Sequence, residues 1–460
     1  MHANFEFVDP KSGKVEKFAA YMAHAASEGS FECGVIEGTG AKGGKPLVVP
    51  YKGKNLSGGD LKKQLQQWAR YGTMEPDAAM AISAVSNGNL DLAGKIFVLI
   101  GAGSAMGPFS KLLEHGATVV CIDIPGVWGE RPAAMWQRLI DTARSSPGRI
   151  IIPLNKPQNQ CKNDAELIAA AGCNLTEGPA QILNWLLSVE SGQPLTVGNY
   201  TYLDGEMHVK LSLAADAVIK GLLEGRPNTA VAFLCTPTDI HVTTDAAYAA
   251  AKANYGFHAG RILEGLVQVL SMGKLLQKNA IKPVPTDDGS SLKLVDGISV
   301  AQGPNYAIAK RLQHWRAMIA YEAGHTVSSN IAPSTATLSV VSNKTFGWAY
   351  GGMPYFKPYE IFQQETTNAL MAAVLTSDIT QKESVANPAN RKKFNVKNTL
   401  ELFKYNSVHG GMWRAAYKAD SIGEMSVFIH FLGGPKLFLG VVALIFGVIA
   451  VVILKCLGKI

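Results

Sequence analysis

Residues 101–107 (GAGSAMG) form the segment whose residue types best suit the binding of a phosphate group. They follow an apolar run and precede Pro108, and proline suits the first turn of a helix. Small residues between a strand and a helix let the backbone approach a pyrophosphate, and the helix N-terminus offers free N–H groups. The pattern predicts a dinucleotide site whose contacts come from Gly101, Gly103, Ser104, Ala105, Met106 and Gly107.

Asp123 extends this prediction from the pyrophosphate to the adenosine ribose. It ends the next apolar run, 22 residues after Gly101, and Ile124 follows it with no basic residue beside it. A carboxylate at this position accepts hydrogen bonds from ribose hydroxyls, and its charge repels a 2′-phosphate. The sequence therefore favours NAD(H) over NADP(H), with Asp123 and Ile124 in the cofactor site.

The elements that would hold this site are short apolar runs that alternate with amphipathic segments. This alternation is typical of βα units, so we expect an α/β fold with a Rossmann-type doubly wound parallel sheet. The predicted strands are 95–101, 117–123, 149–154, 195–202, 229–235, 292–299 and 326–331. The predicted helices between them are near 106–115, 132–145, 177–189, 206–224, 245–273 and 304–323.

The chain divides by composition into four parts. Residues 1–92 are expected to be a helical N-terminal extension, in which 60–71 place Leu61, Leu65 and Trp68 on one helix face. Residues 93–340 form the predicted dinucleotide-binding domain, and 341–434 a helical C-terminal extension. Residues 435–456 are predicted to be a transmembrane anchor.

The anchor prediction rests on residues 437–454, which are 18 uncharged and mostly apolar residues between two lysines. A stretch of this length is sufficient to cross a bilayer as one helix. We therefore expect a tail-anchored, single-pass membrane protein whose main domain is cytosolic. The endoplasmic reticulum is favoured over a mitochondrial or plastid outer membrane, and a lipophilic substrate would suit this placement.

Other features of the composition exclude several classes of function. The six cysteines form no CxxC pair and no cluster with histidine at metal spacing, so no metal site is predicted. The formal net charge of +7 comes from scattered lysines and arginines, which does not indicate a nucleic-acid partner. A membrane-complex subunit or a second copy of the chain is an open possibility as protein partner.

The nucleotide segments resemble the short-chain dehydrogenase/reductase superfamily. Residues 101–107 are similar to its Gly-x-x-x-Gly-x-Gly loop, with Ala105 in place of the middle glycine, and residues 112–124 (LLEHGATVVCIDI) are similar to the segment that follows it. The resemblance covers roughly residues 95–340. It implies an NAD(P)-dependent oxidoreductase in which a tyrosine, a lysine four residues later and an upstream serine or threonine do the chemistry.

The first segment with this motif contains Tyr248 and Lys252, and Thr236 lies 12 residues before the tyrosine at the end of a predicted strand. Residues four apart share a helix face, so the ammonium group would lie beside the phenol and lower its pKa. Tyr248 would then be the general acid/base. Thr236 would orient the substrate oxygen, and Lys252 would also hold the nicotinamide ribose.

The second segment contains Tyr306 and Lys310, with Ser299 as the nearest upstream hydroxyl. Tyr248 follows the fifth predicted strand, as the family's tyrosine does, whereas Tyr306 would need an additional βα unit. The count of strands therefore favours Tyr248 and leaves Tyr306 as the alternative.

These observations predict an NAD(H)-dependent oxidoreductase that interconverts a carbonyl and a secondary alcohol. A non-catalytic Rossmann-fold subunit of a membrane complex is the alternative from another class. An epimerase or dehydratase that keeps its NAD bound would share the same motifs.

Overall fold

The computed structural model describes residues 2–10, 12–24, 29–255, 262–299 and 302–431, together with Gly440, Gly447 and Val451. Its main sheet has seven strands. They are β1 (Glu32–Glu37), β2 (Ile96–Ile100), β3 (Thr118–Ile122), β4 (Arg149–Leu154), β5 (Leu195–Asn199), β6 (Ala230–Cys235) and β7 (Val327–Ile331).

The strands lie in the order β7-β6-β5-β2-β3-β4-β1. Strands β2 to β7 are parallel to their neighbours, whereas β1 runs antiparallel to β4, with Glu37 opposite Arg149 and Glu32 opposite Leu154. Counted from β2, the parallel strands follow the order 3-2-1-4-5-6, which is that of dinucleotide-binding doubly wound sheets. The order reverses between β2 and β5, and ligands of such sheets bind outside the carboxyl ends of the strands at this point.

Fifteen α-helices accompany the strands within the described residues. They are α1 (Phe18–Ala23), α2 (Gly58–Tyr71), α3 (Pro76–Val85), α4 (Phe109–Glu114), α5 (Glu130–Ser145), α6 (Asp164–Ala170), α7 (Pro179–Ser188), α8 (Glu206–Gly225), α9 (Asp245–Asn254), α10 (Ile262–Leu270), α11 (Gly303–Glu322), α12 (Leu338–Val341), α13 (Lys344–Gly352), α14 (Gln364–Thr380) and α15 (Ala419–Phe431). The predicted helix over 60–71 is confirmed, and Leu61, Leu65 and Trp68 of α2 are buried.

Two apolar cores cover the two faces of the sheet because alternate side chains of a strand point to opposite sides. Ile96, Val98 and Ile100 of β2 pack in the core that α7, α8 and α11 complete. Phe97 and Leu99 pack in the other core, with α4, α5 and Leu375 of α14. The helices thereby fix the parallel strands from both sides and leave their carboxyl ends as the edge on which a site can form.

The fold-class prediction is wrong in two respects, the first of which is the sheet. The sheet is mixed rather than parallel, because the N-terminal extension is not purely helical and contributes β1 as an antiparallel edge strand. Glu32 and Glu37 at the ends of β1 are exposed, as is usual for charged residues on a sheet edge.

The second correction concerns the predicted transmembrane helix. Among the residues that the structure describes, no helix is both long enough and apolar enough to cross a membrane. The predicted span, 437–454, lies outside the described residues except for three isolated positions.

A third difference lies between β6 and α11, where residues 292–299 were predicted to form a strand of the main sheet. Leu294–Asp296 forms a short strand, but it pairs antiparallel with Ile240–Val242 in a separate two-stranded sheet. Leu292 belongs to another short strand, which pairs with Val284–Pro285. Residues 236–302 are therefore an insertion between β6 and α11. Consequently α11 is the helix that directly precedes β7.

Further short strand pairs lie outside the main sheet. They are Glu6–Val8 with Val15–Lys17, Lys45–Pro46 with Asn89–Leu90, Val49–Tyr51 with Lys54–Leu56, Val284–Pro285 with Ser291–Leu292, and Thr335–Ala336 with Phe362–Gln363. A third apolar core joins α2 and α3 to α14, so the N-terminal extension packs on the C-terminal part of the chain.

Glu75 connects the N-terminal extension to the C-terminal part of the chain through a buried ionic cluster. Its carboxylate is 1% exposed, accepts hydrogen bonds from Arg414 at 2.8 and 2.9 Å and from Thr244 at 2.8 Å, and lies 3.1 Å from the His409 ring. Burial acts to raise the pKa of Glu75, but His409 and Arg414 outweigh it and lower the pKa to about 2.

Replacement of Glu75 by glutamine should lower the free energy of unfolding by about 3 kcal/mol, because it leaves Arg414 without its buried partner. Since the pKa of Glu75 lies below its ordinary value of 4.5, the wild-type contribution is complete above about pH 4.5 and is lost as the pH falls toward 2. Urea unfolding at several pH values measures both effects.

Glu224→Gln is the control, because it breaks an exposed pair with Lys220. It should lower the free energy of unfolding by less than about 1 kcal/mol. Equal losses in the two variants would contradict a structural role for the Glu75 cluster.

Candidate functional site

The loop over 101–107 lies at the carboxyl end of β2, beside the point where the strand order reverses. Gly101 has a φ of +87°, and a Cβ atom there would lie 3.0 Å from the backbone of Tyr200 and Thr201. A side chain is therefore excluded at Gly101 both by conformation and by space. Gly107 is similarly close to its own loop, since a Cβ atom would lie 3.3 Å from the carbonyl oxygen of Ser104.

Side chains from two helices hold the carbonyl groups of this loop. Arg138 of α5 donates a hydrogen bond to the Gly103 oxygen at 3.2 Å, and Asn368 of α14 donates one to the Ala105 oxygen at 2.8 Å. A Cβ atom at Gly103 would lie 2.2 Å from the sulfur of Met135, so a larger residue there would require that side chain to move. The sequence gives no local signal for Arg138 or Asn368, which lie 35 and 263 residues away from their partners.

The loop fits a pyrophosphate because two of its N–H groups have no hydrogen-bond acceptor within the described residues. Within the described residues, the N–H groups of Ala105 and Met106 make no hydrogen bond, while their neighbours Ser104 and Gly107 donate to carbonyls of the loop itself. Helix α4 begins only at Phe109 and has six residues, so it adds less dipole than the longer helix predicted for 106–115. The free N–H groups of the loop are thus the main donors available for a phosphate.

Asp123 lies beside this loop and supports it. One carboxylate oxygen accepts a hydrogen bond from the Gly103 N–H at 2.7 Å, and the other accepts one from the Ile124 N–H at 2.9 Å. Burial raises the pKa of Asp123, and these two bonds counteract the rise. Each oxygen keeps further acceptor capacity, so the predicted contact with ribose hydroxyls is compatible with this geometry.

Helix α11 positions the second Tyr-x-x-x-Lys motif. Pro304 in its first turn suits a helix start, and Tyr306 and Lys310 then lie one turn apart on the same face. The Lys310 ammonium is 5.9 Å from the centre of the Tyr306 ring. Because α11 connects β6 to β7, both side chains lie near the carboxyl end of β6.

Thr236, the residue that directly follows β6, meets Tyr306 there. The Thr236 side chain lies close enough to the phenol of Tyr306 to act to lower its pKa. The Thr236 hydroxyl also lies 2.7 Å from the Thr238 hydroxyl, which in turn donates to Gln302. The structure thus combines Thr236 of the favoured set with Tyr306 and Lys310 of the alternative set.

Burial sets the protonation of this pair. It raises the pKa of Tyr306 to about 12, even though the nearby Thr236 side chain acts in the opposite direction. Burial also lowers the pKa of Lys310 to about 8. At neutral pH the phenol therefore carries its proton, and most molecules carry a charged ammonium beside it.

Tyr248 and Lys252 occupy a different environment. They lie on α9, in the insertion that follows β6, and the Lys252 ammonium is 5.7 Å from the centre of the Tyr248 ring. The Tyr248 hydroxyl donates a hydrogen bond to the Ile281 carbonyl at 2.8 Å, and the side chain is 8% exposed. The Tyr248 hydroxyl thus already has a structural partner, and the Thr236 side chain lies near the other tyrosine, Tyr306. Ser299 lies in the loop before α11, where its carbonyl accepts a bond from the Gln302 N–H at 3.2 Å.

The segment after β5 connects the loop and the tyrosine. Its Tyr200 and Thr201 backbone contacts Gly101, and the Tyr202 ring lies 6.2 Å from the Tyr306 ring, measured between centres. His208 of α8 lies against the same tyrosine, with ring centres 5.6 Å apart. His208 could not be identified from the sequence, since a single histidine in the first turn of a helix matches no motif.

The described residues contain no group of three or more histidine, cysteine, aspartate or glutamate side chains that could hold a metal ion. The arrangement offers free N–H groups at the end of β2. Near the end of β6, with β5 between the two strands, it offers a phenol with a hydroxyl and an ammonium group near it. This combination suits a bound dinucleotide and proton transfer to a substrate oxygen.

Comparison with known proteins adds no family to this arrangement. No protein-family model matches the chain, and no curated protein matches it at a significant level.

Proposed function

We propose that the chain is an NAD(H)-dependent oxidoreductase that interconverts a carbonyl and a secondary alcohol, with Tyr306 as general acid/base. The observation that carries the proposal is the meeting of Thr236, Tyr306 and Lys310 at the strand edge that also bears the 101–107 loop. The resemblance of that loop to the short-chain dehydrogenase/reductase pattern points to the same chemistry.

A dinucleotide would be held by the N–H groups of Ala105 and Met106, with Asp123 at the adenosine ribose. When bound, it supplies or accepts a hydride at the substrate carbon. In this proposal Lys252 does not hold the nicotinamide ribose, because it lies beside Tyr248 on α9. Lys310, which lies beside Tyr306, takes this role.

In the reducing direction the substrate oxygen lies between Thr236 and Tyr306. Thr236 donates a hydrogen bond that orients the oxygen, and Tyr306 transfers its phenolic proton to it as negative charge develops. The charge of Lys310 stabilises the phenolate that remains, since an opposite charge within several ångströms favours the ionised form. The proton returns to Tyr306 from solvent before the next turnover.

Exposed apolar side chains near Tyr306 support a substrate with an apolar body. Tyr202, which faces Tyr306, is 52% exposed, and Leu203 and Met207 from the same turn are 43% and 39% exposed. Exposed apolar side chains around a polar catalytic group are typical of ligand pockets, in which a few polar groups fix orientation.

Titration of the full chain with NADH, followed by fluorescence, tests the proposal. We expect saturable binding that is tighter than binding of NADPH, and oxidation of NADH that depends on an added ketone. Gly101→Val should abolish binding through the clash with Tyr200, whereas Gly53→Val, also at a positive φ but in open space, should not. Absence of dinucleotide binding in the wild type would overturn the proposal and favour a non-catalytic subunit.

A further inference from the structure

An open cavity of about 310 Å³ lies at the amino ends of the parallel strands. Thr118 and Arg149, the first residues of β3 and β4, line it together with the loops that precede these strands. Small-molecule sites have volumes of roughly 300–1,000 Å³, so the cavity is large enough for one small ligand. The 101–107 loop and Tyr306 lie beyond the carboxyl ends of the strands, so the proposed reaction leaves this cavity unused.

His115 is a buried side chain in the wall of this cavity, with an exposed fraction of 3%. Its Nδ1 lies 3.2 Å from the Leu90 carbonyl oxygen, which can only accept, so Nδ1 carries the hydrogen. Burial lowers the pKa of His115, so the ring is neutral at neutral pH and Nε2 is an acceptor. Nε2 has no partner among the described residues and is not one of their enclosed polar atoms, so it is open to the cavity.

Asp91 supplies a second acceptor next to His115. One of its carboxylate oxygens accepts a hydrogen bond from the Ala93 N–H at 2.9 Å and approaches Gly116, the residue that follows the histidine. Its second oxygen has no partner in the part of the chain that the structure describes. A carboxylate and a neutral imidazole acceptor side by side suit a cationic group with several N–H donors, such as an ammonium.

The loop over 42–44 supplies donors to the same cavity. The N–H groups of Gly43 and Gly44 make no hydrogen bond with the described residues. A Cβ atom at Gly44, which has a φ of +76°, would lie 2.9 Å from the Leu90 oxygen, so this close approach requires glycine. The Lys42 side chain is exposed and pairs with no carboxylate of the described residues. These donors suit an anionic group.

The charges around the cavity limit the class of ligand. Arg149 is already paired, since it lies 2.7 Å from Glu190 and 3.6 Å from Glu37. Among the charged side chains that line the cavity, this leaves the cation of Lys42 and the anion of Asp91 for a ligand. The lining residues include no phenylalanine, tyrosine or tryptophan on which a sugar or a nucleobase could stack. A small molecule with one charge of each sign is the best match.

We propose that this cavity binds a free α-amino acid. Asp91 and the Nε2 atom of His115 accept hydrogen bonds from its ammonium group. Its carboxylate accepts hydrogen bonds from Lys42 and from the N–H groups of Gly43 and Gly44. The two sets of groups adjoin each other, because a Cβ atom at Gly44 would lie 3.1 Å from the Asp91 Cβ. This proximity suits an ammonium and a carboxylate that are separated by a single carbon atom.

The lining also indicates the kind of side chain. Its apolar members are glycines, Ala93 and Pro147, so the cavity offers no large apolar surface. We therefore expect an amino acid with a small or polar side chain. Binding there requires neither a dinucleotide nor Tyr306, so the amino-acid site goes beyond the proposed function and stands or fails separately from it.

Isothermal titration calorimetry of the full chain with each of the twenty standard amino acids, without NADH, tests the site. At least one with a small or polar side chain should bind with a Kd of about 1 mM or lower. The 2-hydroxy acid of the same skeleton lacks the ammonium, and the amino alcohol lacks the carboxylate. Each should bind at least about tenfold more weakly, since each loses a charge-assisted hydrogen bond.

Three variants locate the binding within the cavity. Asp91→Asn and His115→Phe should each raise the Kd about tenfold, and Lys42→Met about threefold, because Lys42 is the more exposed partner. Lys63→Met is the matched control, since Lys63 is an exposed lysine of α2 outside the cavity, and it should leave the Kd unchanged. Asp91 and Lys42 are both exposed, so their variants test the site even where His115→Phe fails to fold.

Three results would overturn the proposal. The first is that none of the twenty amino acids binds. The second is that the hydroxy acid or the amino alcohol binds as tightly as the amino acid, because the site would then not recognise both charges. The third is an unchanged Kd in both Asp91→Asn and Lys42→Met, which would place the amino acid elsewhere. Titration with NADH on the same preparation reports separately on the proposed function.

Discussion

Replacement of Tyr306 by phenylalanine should lower kcat for ketone reduction about a thousandfold and leave NADH binding within a factor of about two. The substitution removes one oxygen, the atom that we expect to transfer the proton. The ring remains and keeps its contacts with Tyr202 and His208. Steady-state kinetics and fluorescence titration with NADH measure the two quantities on the same preparation.

Tyr248→Phe is the matched control, since it removes the same atom from a second tyrosine that also has a lysine four residues later. Its hydroxyl bonds the Ile281 carbonyl, so the expected effect is a loss of about 1 kcal/mol in unfolding free energy with kcat little changed. If Tyr248→Phe abolished turnover and Tyr306→Phe did not, the roles of the two residues would have to be exchanged.

The prediction of residues 292–299 as a strand of the main sheet shows where sequence reasoning reached its limit. Tyr248 was favoured because residues 292–299 were counted as a strand of the main sheet, which placed Tyr306 one unit too late. Hydrophobic periodicity identifies an apolar run but not its pairing partner. Leu294–Asp296 pairs with Ile240–Val242 instead, and this removes the additional unit.

The position of the 101–107 loop between a strand and a helix was easier to predict because its determinants are local. The Gly-rich turn, the apolar strands on each side and Asp123 lie within one βα unit, and the structure has Asp123 bonded to Gly103. Contacts made across the fold were not predictable in this way. Asn368 approaches the loop from 263 residues away, and β1 pairs with β4 across more than 110 residues.

Replacement of Lys310 by methionine should lower kcat/KM for ketone reduction about a hundredfold at pH 7, because the phenolate of Tyr306 would form without a charge beside it. In the wild type the pKa of Lys310 is lowered to about 8, so kcat/KM should fall as the pH rises above 8 and the ammonium loses its proton. Tyr306, with a pKa raised to about 12, stays protonated over this range and cannot cause the fall. The pH profile of kcat/KM measures both effects.

Lys310→Arg separates the charge of this residue from its titration. Guanidinium keeps its proton far above pH 8, so this variant should retain more activity than the methionine variant and lose the decline above pH 8. Lys404→Met provides a control, because Lys404 pairs with Glu401 and not with a residue of the candidate site. A decline near pH 8 that persisted in Lys310→Arg would assign that titration to another group. The ammonium would then not be the charge that stabilises the phenolate, and Tyr306 would have to act without it.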